Sequence, residues 1–140
     1  MTIVDFYTHV SDPMRVAVQL VRKAYPQHGK IRVLTESETM TEQIDKRLWV
    51  EPATDFLPHC RLNHPLADET PILIDHSLTH DGSADVLINL QHQVPEFFSR
   101  FERLVEIVST DHTAVMEGRK RYRFYQERGY MLRAHNLSGR

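Results

Sequence analysis

Basic and aromatic side chains share one face of a predicted C-terminal helix. They are separated by three or four positions: Arg119, Tyr122, Arg123 and Gln126. Residues at these spacings project from the same side of a helix. Guanidinium groups beside a flat ring suit an acidic peptide with an aromatic residue, or single-stranded nucleic acid held by stacking and phosphate contacts. A simpler interpretation is a solvated basic helix end, where cations are favoured anyway.

Two aromatic residues upstream are candidates for an interface with another protein. Trp49 is predicted at the end of a helix, and Phe56 lies in the following loop between two prolines. An aromatic side chain on a proline-stiffened loop loses little entropy on binding, so it is a good interface anchor. The residues alone leave open whether these two rings bind a partner or close the core.

The histidines carry weaker signals for metal binding or catalysis. Two loop groups contain candidate ligands: His59, Cys60 and His64, and His76, His80 and Asp81. Zinc requires three or four converging ligands, so exposed polar loop residues are the simpler interpretation. The alternative function is a small α/β hydrolase or transferase that uses these histidines, which would need a pocket with converging titratable groups.

The composition is that of an ordinary soluble domain. The chain has 140 residues, of which 41% are hydrophobic and 26% charged, and this fits one domain over residues 1–140. Its single cysteine, Cys60, excludes an internal disulfide framework and suits a reducing cytoplasm. No signal peptide and no run of about 18 apolar residues is found, so we expect a cytoplasmic protein that does not span a membrane.

Charge is distributed unevenly along the chain. Residues 1–110 carry sixteen acidic and ten basic side chains, whereas residues 111–140 carry three acidic and seven basic ones. A local basic patch on a mildly acidic protein indicates one anionic partner at one place. A general nucleic-acid binder would instead be basic overall.

Hydrophobic periodicity predicts alternating strands and helices. Strands are predicted at 3–7, 31–35, 72–74, 86–90, 104–108 and 130–134, with a long loop over 52–70. Helices follow the first two strands, and a last helix precedes the final strand. This order predicts an α/β fold: one three-layer domain with a mostly parallel sheet flanked by helices. It is Rossmann-like, but its five glycines are too far apart to form a phosphate-binding glycine loop.

Capping residues predict where the helices begin and end. Asp12 followed by Pro13 is a typical helix start, and Thr39 with Glu42 matches a capping box for the second helix. Thr110 or Asp111 is predicted to begin the last helix. That helix is predicted to end near residue 128, with Gly129 in the position after its C-cap.

Four short blocks of the sequence occur in a distinctive order. They are Arg32-Val33-Leu34, then Leu48-Trp49-x-x-Pro52-x-x-x-Phe56-Leu57-Pro58-His59, then Asp85-Val86-Leu87-Ile88-x-Leu90, and finally Arg119-x-Arg121-Tyr122-Arg123-x-Tyr125-x-x-x-Gly129-Tyr130. In this order the chain resembles the chi subunit family of bacterial DNA polymerase III holoenzyme. The resemblance covers nearly the whole chain, and the block from Trp49 to His59 is its most specific part.

The resemblance implies a non-catalytic accessory subunit of the clamp-loader complex in DNA replication, with no cofactor and no metal. Members of the family pair with the psi subunit of DNA polymerase III. They also bind the acidic C-terminal tail of single-stranded DNA-binding protein, which ends in Pro-Phe. Contact with DNA is therefore expected to be mainly indirect.

The same resemblance implies roles for five residues. Trp49 and Phe56 match the aromatic residues that face psi. Arg119 matches the key tail-binding arginine, and Tyr122 and Arg123 match its neighbours on the helix. Arg119 would then hold the terminal carboxylate or an acidic group beside it, Tyr122 would line the slot for the terminal Phe, and Arg123 would attract upstream acidic residues.

Two positions depart from the family pattern. Val115 and Gln126 stand where a lysine and an arginine occur in the family. Both departures remove a cation from the predicted tail-binding surface. They imply weaker tail binding or a different tail sequence.

Overall fold

The protein forms one parallel sheet of seven strands within the residues described by the computed structural model, which are 2–26, 29–50, 57–80 and 84–138. The strands are β1 (Ile3–Val10), β2 (Ile31–Leu34), β3 (His59–Cys60), β4 (Ile72–Asp75), β5 (Ala84–Asn89), β6 (Phe101–Ser109) and β7 (Met131–Asn136). Their order is β3-β4-β2-β5-β6-β1-β7, and every pair is parallel. The predicted loop over 52–70 contains the short strand β3 and a 3₁₀ turn at Ala67–Glu69.

Three helices cover the two faces of the sheet: α1 (Pro13–Ala24), α2 (Glu38–Val50) and α3 (His112–Glu127). Helices α1 and α2 pack on one face, where Val18 and Ile44 join a core with strand residues such as Val33. Helix α3 packs on the other face, where Tyr125 meets Val4 and an aromatic segment around Phe98. The predicted three-layer α/β class is confirmed. No helix of the described residues is long and apolar enough to cross a membrane.

Two of the three predicted helix starts are confirmed. Asp12 accepts a hydrogen bond from the backbone N–H of Arg15 (3.2 Å), and Asp111 accepts one from that of Ala114 (3.2 Å). The predicted position of Gly129 is also confirmed, since its φ of +79° suits a residue without a side chain.

The predicted capping box at the start of α2 is wrong. The Oγ of Ser37 accepts a hydrogen bond from the backbone N–H of Met40 (3.2 Å), so the helix begins two residues earlier than Thr39 would allow. Ser37 and Thr39 have similar capping preferences. The sequence pattern favoured Thr39, because Glu42 follows it by three positions and completes a capping box.

The topology places a crevice where β1 and β6 lie side by side. Helix α1 leaves the carboxyl end of β1 toward one face, and α3 leaves that of β6 toward the other. Such a divergence opens a crevice at the carboxyl edge of an open α/β sheet, which is where ligands usually bind in this class. A bulge marks the same place: Tyr7 pairs with Ile107 and Val10 with Ser109, which leaves one extra residue on β1.

A buried carboxylate on β1 joins this strand to both of its neighbours, β6 and β7. Asp5 is fully buried and accepts hydrogen bonds from Arg103 on β6 (2.7 Å) and Arg133 on β7 (2.7 and 2.8 Å). The Nε2 of His135 lies 3.0 Å from the same carboxylate. Burial raises the pKa of Asp5, but the hydrogen bonds from these basic partners outweigh it and lower the pKa from 3.8 to about 2.

The Asp5 cluster predicts a stability that is lost in acid. Because the folded-state pKa lies below the ordinary value, ionised Asp5 stabilises the fold above pH 3.8, and this contribution is lost as the pH falls toward 2. We expect Asp5→Asn to lower the free energy of unfolding by about 2 kcal/mol at neutral pH and by much less near its folded-state pKa. Urea unfolding as a function of pH measures both values.

The control for this prediction is Asp68→Asn, which changes an exposed carboxylate. Its unfolding free energy should follow that of the unmodified protein at every pH. A loss for Asp5→Asn that stays equally large at all pH values would contradict the assigned role of the ionised carboxylate.

Candidate functional site

A pocket of about 270 Å³ opens in the crevice between α3 and the carboxyl ends of β1 and β6. Its lining residues come from all three elements: Phe6, Thr8, His9, Val108, Ser109, Thr110, Val115, Gly118, Arg119 and Tyr122. The deepest of these are apolar, whereas His9, Thr110 and Arg119 are exposed and form the rim. The pocket therefore combines an apolar interior with a cationic edge.

Tyr122 and Phe6 form an aromatic wall of the pocket. Their ring centroids lie 5.1 Å apart at an interplanar angle of 67°, an edge-to-face arrangement that fixes the half-buried Tyr122 ring. Arg119, one turn earlier on α3, makes no hydrogen bond or ion pair with any residue of the described ranges. An unpaired guanidinium beside an aromatic slot suits a ligand that carries both a carboxylate and an apolar group.

The structure brings two of the three predicted basic-helix residues to this pocket. Arg119 and Tyr122 line it, as their shared helix face predicts. Arg123 is exposed on the next turn and does not line the pocket. Its position is compatible with a peripheral cation and not with a direct contact inside the slot.

A close approach between α3 and β6 forms part of the pocket floor. A Cβ at Gly118 would lie 2.9 Å from a methyl group of Val108, so a larger residue would push the helix away from the strand. The residue pattern of α3 did not mark this glycine as part of the site. The sequence does contain a signal for it, namely a glycine inside a predicted helix. Such a glycine costs about 1 kcal/mol relative to alanine and often marks close packing.

A buried ionic network holds α3 on the sheet. Glu106 of β6 is fully buried and accepts hydrogen bonds from the Nε of Arg121 (3.0 Å) and the hydroxyl of Tyr125 (2.6 Å). The side-chain amide of Asn89 donates to the same carboxylate (3.0 and 3.1 Å), and Arg121 also donates to the carbonyl of His92 (2.9 Å). Burial raises the pKa of Glu106, and the charge of Arg121 opposes this shift. The network fixes the rotation of α3.

Trp49 lies on the opposite side of the sheet, near the end of α2. The residue is 55% exposed, so it does not close the core. Its ring centroid lies 4.9 Å from that of His59, whose Nε2 is 3.1 Å from a carboxylate oxygen of Asp45. Phe56, the second predicted anchor, lies outside the described residues.

Three of the four candidate loop histidines lie beside carboxylates or aromatic rings, whereas His64 accepts a hydrogen bond from the backbone N–H of Leu66 (3.0 Å). Asp81 lies outside the described residues. His76 Nδ1 is 3.5 Å from Asp75 and 3.6 Å from Glu38, and His80 is buried against Phe97 and Phe101. In the part of the chain that the structure describes, no group of three or more His, Cys, Asp or Glu residues could hold a metal ion.

The sequence is similar to a family of replication proteins. Residues 1–133 match the family described as DNA polymerase III chi subunit, HolC. The chain is 33% identical to DNA polymerase III subunit chi of Pseudomonas aeruginosa over 98% of each chain. It is 28% identical to the Haemophilus influenzae protein of the same name, over 87% of this chain and 85% of that one. The corresponding Escherichia coli protein is 26% identical over 74% of this chain and 71% of its own length.

The Glu106 network predicts a large loss of stability when the carboxylate is removed. Glu106→Ala leaves the guanidinium of Arg121 buried without its counter-ion, which should cost about 3–5 kcal/mol of unfolding free energy. Glu102→Ala, on the same strand but exposed, should change it by no more than about 0.5 kcal/mol. Urea unfolding followed by circular dichroism measures both variants. Similar small losses in the two would show that the network does not hold α3.

Proposed function

The chain belongs to the DNA polymerase III chi subunit family and is a replication accessory subunit, and on this basis we propose that it is a non-catalytic adaptor with two binding sites. One site binds the psi subunit within the clamp-loader complex, and the other binds the acidic C-terminal tail of single-stranded DNA-binding protein. The protein would then connect the polymerase to coated template in the cytoplasm and contact DNA mainly indirectly.

The tail-binding proposal rests on one observation, the apolar pocket beside an unpaired guanidinium. A tail that ends in Pro-Phe carries an aromatic ring and a free carboxylate on the same residue. The ring fits against the wall that Phe6 and Tyr122 form, and the carboxylate then lies within reach of the exposed Arg119. A charge-assisted contact beside an apolar slot gives affinity and also selects a C-terminal residue. Neither the slot nor the guanidinium would make that selection alone.

The psi-binding proposal is supported by the exposure of Trp49. Large exposed aromatic residues are enriched at the centres of protein interfaces. Trp49 lies on the α2 side of the sheet, whereas the pocket lies on the α3 side. The two partners can therefore bind at the same time.

The pocket predicts different roles for Arg119 and Arg123. Arg119→Ala should weaken binding of a labelled peptide that ends in Pro-Phe by about 30- to 100-fold at any salt concentration, because a direct contact is lost. Arg123→Ala should weaken it by about threefold at low salt and hardly at all at high salt, because a peripheral cation is screened. Fluorescence anisotropy at two salt concentrations measures both. Equal and modest losses that lower salt restores would indicate a nonspecific basic face.

The exposed aromatic residue predicts a separate effect on psi. Trp49→Ala and Phe56→Ala should each weaken psi binding by about 30-fold, since truncating an interface anchor often costs 2 kcal/mol or more. Leu78→Ala, which truncates another exposed apolar side chain (61%), is the matched control and should leave the affinity unchanged. Isothermal titration with psi measures all three. Unfolding of the Trp49 or Phe56 variant would assign that ring to the core.

A further inference from the structure

Two cavities meet at His9. The pocket on the α3 side and a groove of about 430 Å³ on the α1 side are both lined by this residue. The bulge in β1 explains the shared position, because the extra residue gives His9 a φ of 58° and leaves its side chain exposed between the two faces. Thr8 lines the pocket, whereas Tyr7 and Val10 line the groove.

Two unpaired cations and an amide line the groove along α1. Arg15, Gln19 and Lys23 line it at spacings of four residues and are all exposed. Within the described residues, the guanidinium of Arg15 and the amine of Lys23 make no hydrogen bond or ion pair. The one acidic lining residue, Asp12, is already engaged, because it caps α1 and lies 3.6 Å from Arg47. The groove therefore presents net positive charge to solvent.

The cations on α3 beyond Arg119 are less suited to extend the pocket. Lys120 lies 3.5 Å from Glu117, and the guanidinium of Arg128 lies 3.7 Å from the centroid of the Phe124 ring. Arg123 is exposed but lines neither cavity. The groove that meets the pocket at His9 is thus lined by unpaired cations of α1 and not by those of α3.

We propose that an acidic peptide whose C-terminal residue occupies the pocket crosses His9 and continues along Arg15 and Lys23 of α1. The inference rests on the proposed tail binding and adds the path of the upstream residues. Arg15 and Lys23 are eight positions apart, which is about 12 Å along a helix. Four extended residues span about 13 Å, so an acidic run of that length along α1 matches the separation of the two cations.

Two labelled peptides test this path separately from the pocket. Both end in Pro-Phe with a free carboxylate, and one has four aspartates upstream where the other has four serines. We expect the aspartate peptide to bind the unmodified protein about tenfold more tightly than the serine peptide at low salt. The double variant Arg15→Ala/Lys23→Ala should reduce this advantage to about twofold and leave the affinity for the serine peptide unchanged.

Matched variants assign the effect to the groove. Lys23→Ala should reduce the advantage of the aspartate peptide, whereas Lys46→Ala, which removes an exposed lysine of α2 outside both cavities, should not. An advantage that survives the double variant, or that Arg123→Ala removes instead, overturns the proposed path. An oligothymidylate that binds more tightly than the aspartate peptide, and loses that binding in the double variant, overturns it in favour of a phosphate-binding groove.

Failure of the pocket has a different signature from failure of the groove. If the serine peptide binds and needs Arg119, the pocket is supported whatever the groove variants do. If the aspartate peptide needs Arg15 and Lys23 but not Arg119, the groove is supported and the pocket is wrong. If neither peptide binds, both proposals are overturned.

Discussion

The buried carboxylate of Glu106 is the interaction on which the α3 side of the molecule depends. A charge in the core is tolerated only when it is paired and fully hydrogen-bonded, and here Arg121, Tyr125 and Asn89 supply those contacts. These partners fix one rotation of α3, since any other would bury charge without a partner. The contact between Gly118 and Val108 then fixes how closely the helix approaches the strand. The shape of the pocket follows from both constraints.

The topology of the sheet explains why the surfaces proposed for binding are separate. Because β1 and β6 send their helices to opposite faces, the crevice between them is accessible from the α3 side and from the α1 side. Trp49 is carried away from this edge by α2. The fold is usually associated with nucleotide chemistry, but here it provides a crevice without the glycine loop that holds phosphate, which suits the proposed role in protein recognition.

The sequence predicted the regular elements well because their signals are local. The apolar periods of β1 and α1, and the caps at Asp12 and Asp111, depend on neighbouring residues only. The pocket could be predicted only on its α3 side. Phe6 and Val108 join it through strand pairing between residues about 100 positions apart, and the bulge at His9 has no local signal. The sequence alone could not predict that Trp49 is exposed, since aromatic residues occur both in cores and at interfaces.

The place of β1 in the sheet has a consequence for biosynthesis. Strand β1 is synthesised well before β6 and β7 but lies between them in the sheet, and Asp5 and Arg133 are 128 residues apart. The nascent chain therefore exposes an apolar strand with two open edges until β6 and β7 have been made. Long-range pairing of this kind slows folding and prolongs the exposure of aggregation-prone segments. Chaperone binding to β1 would protect the chain during that interval.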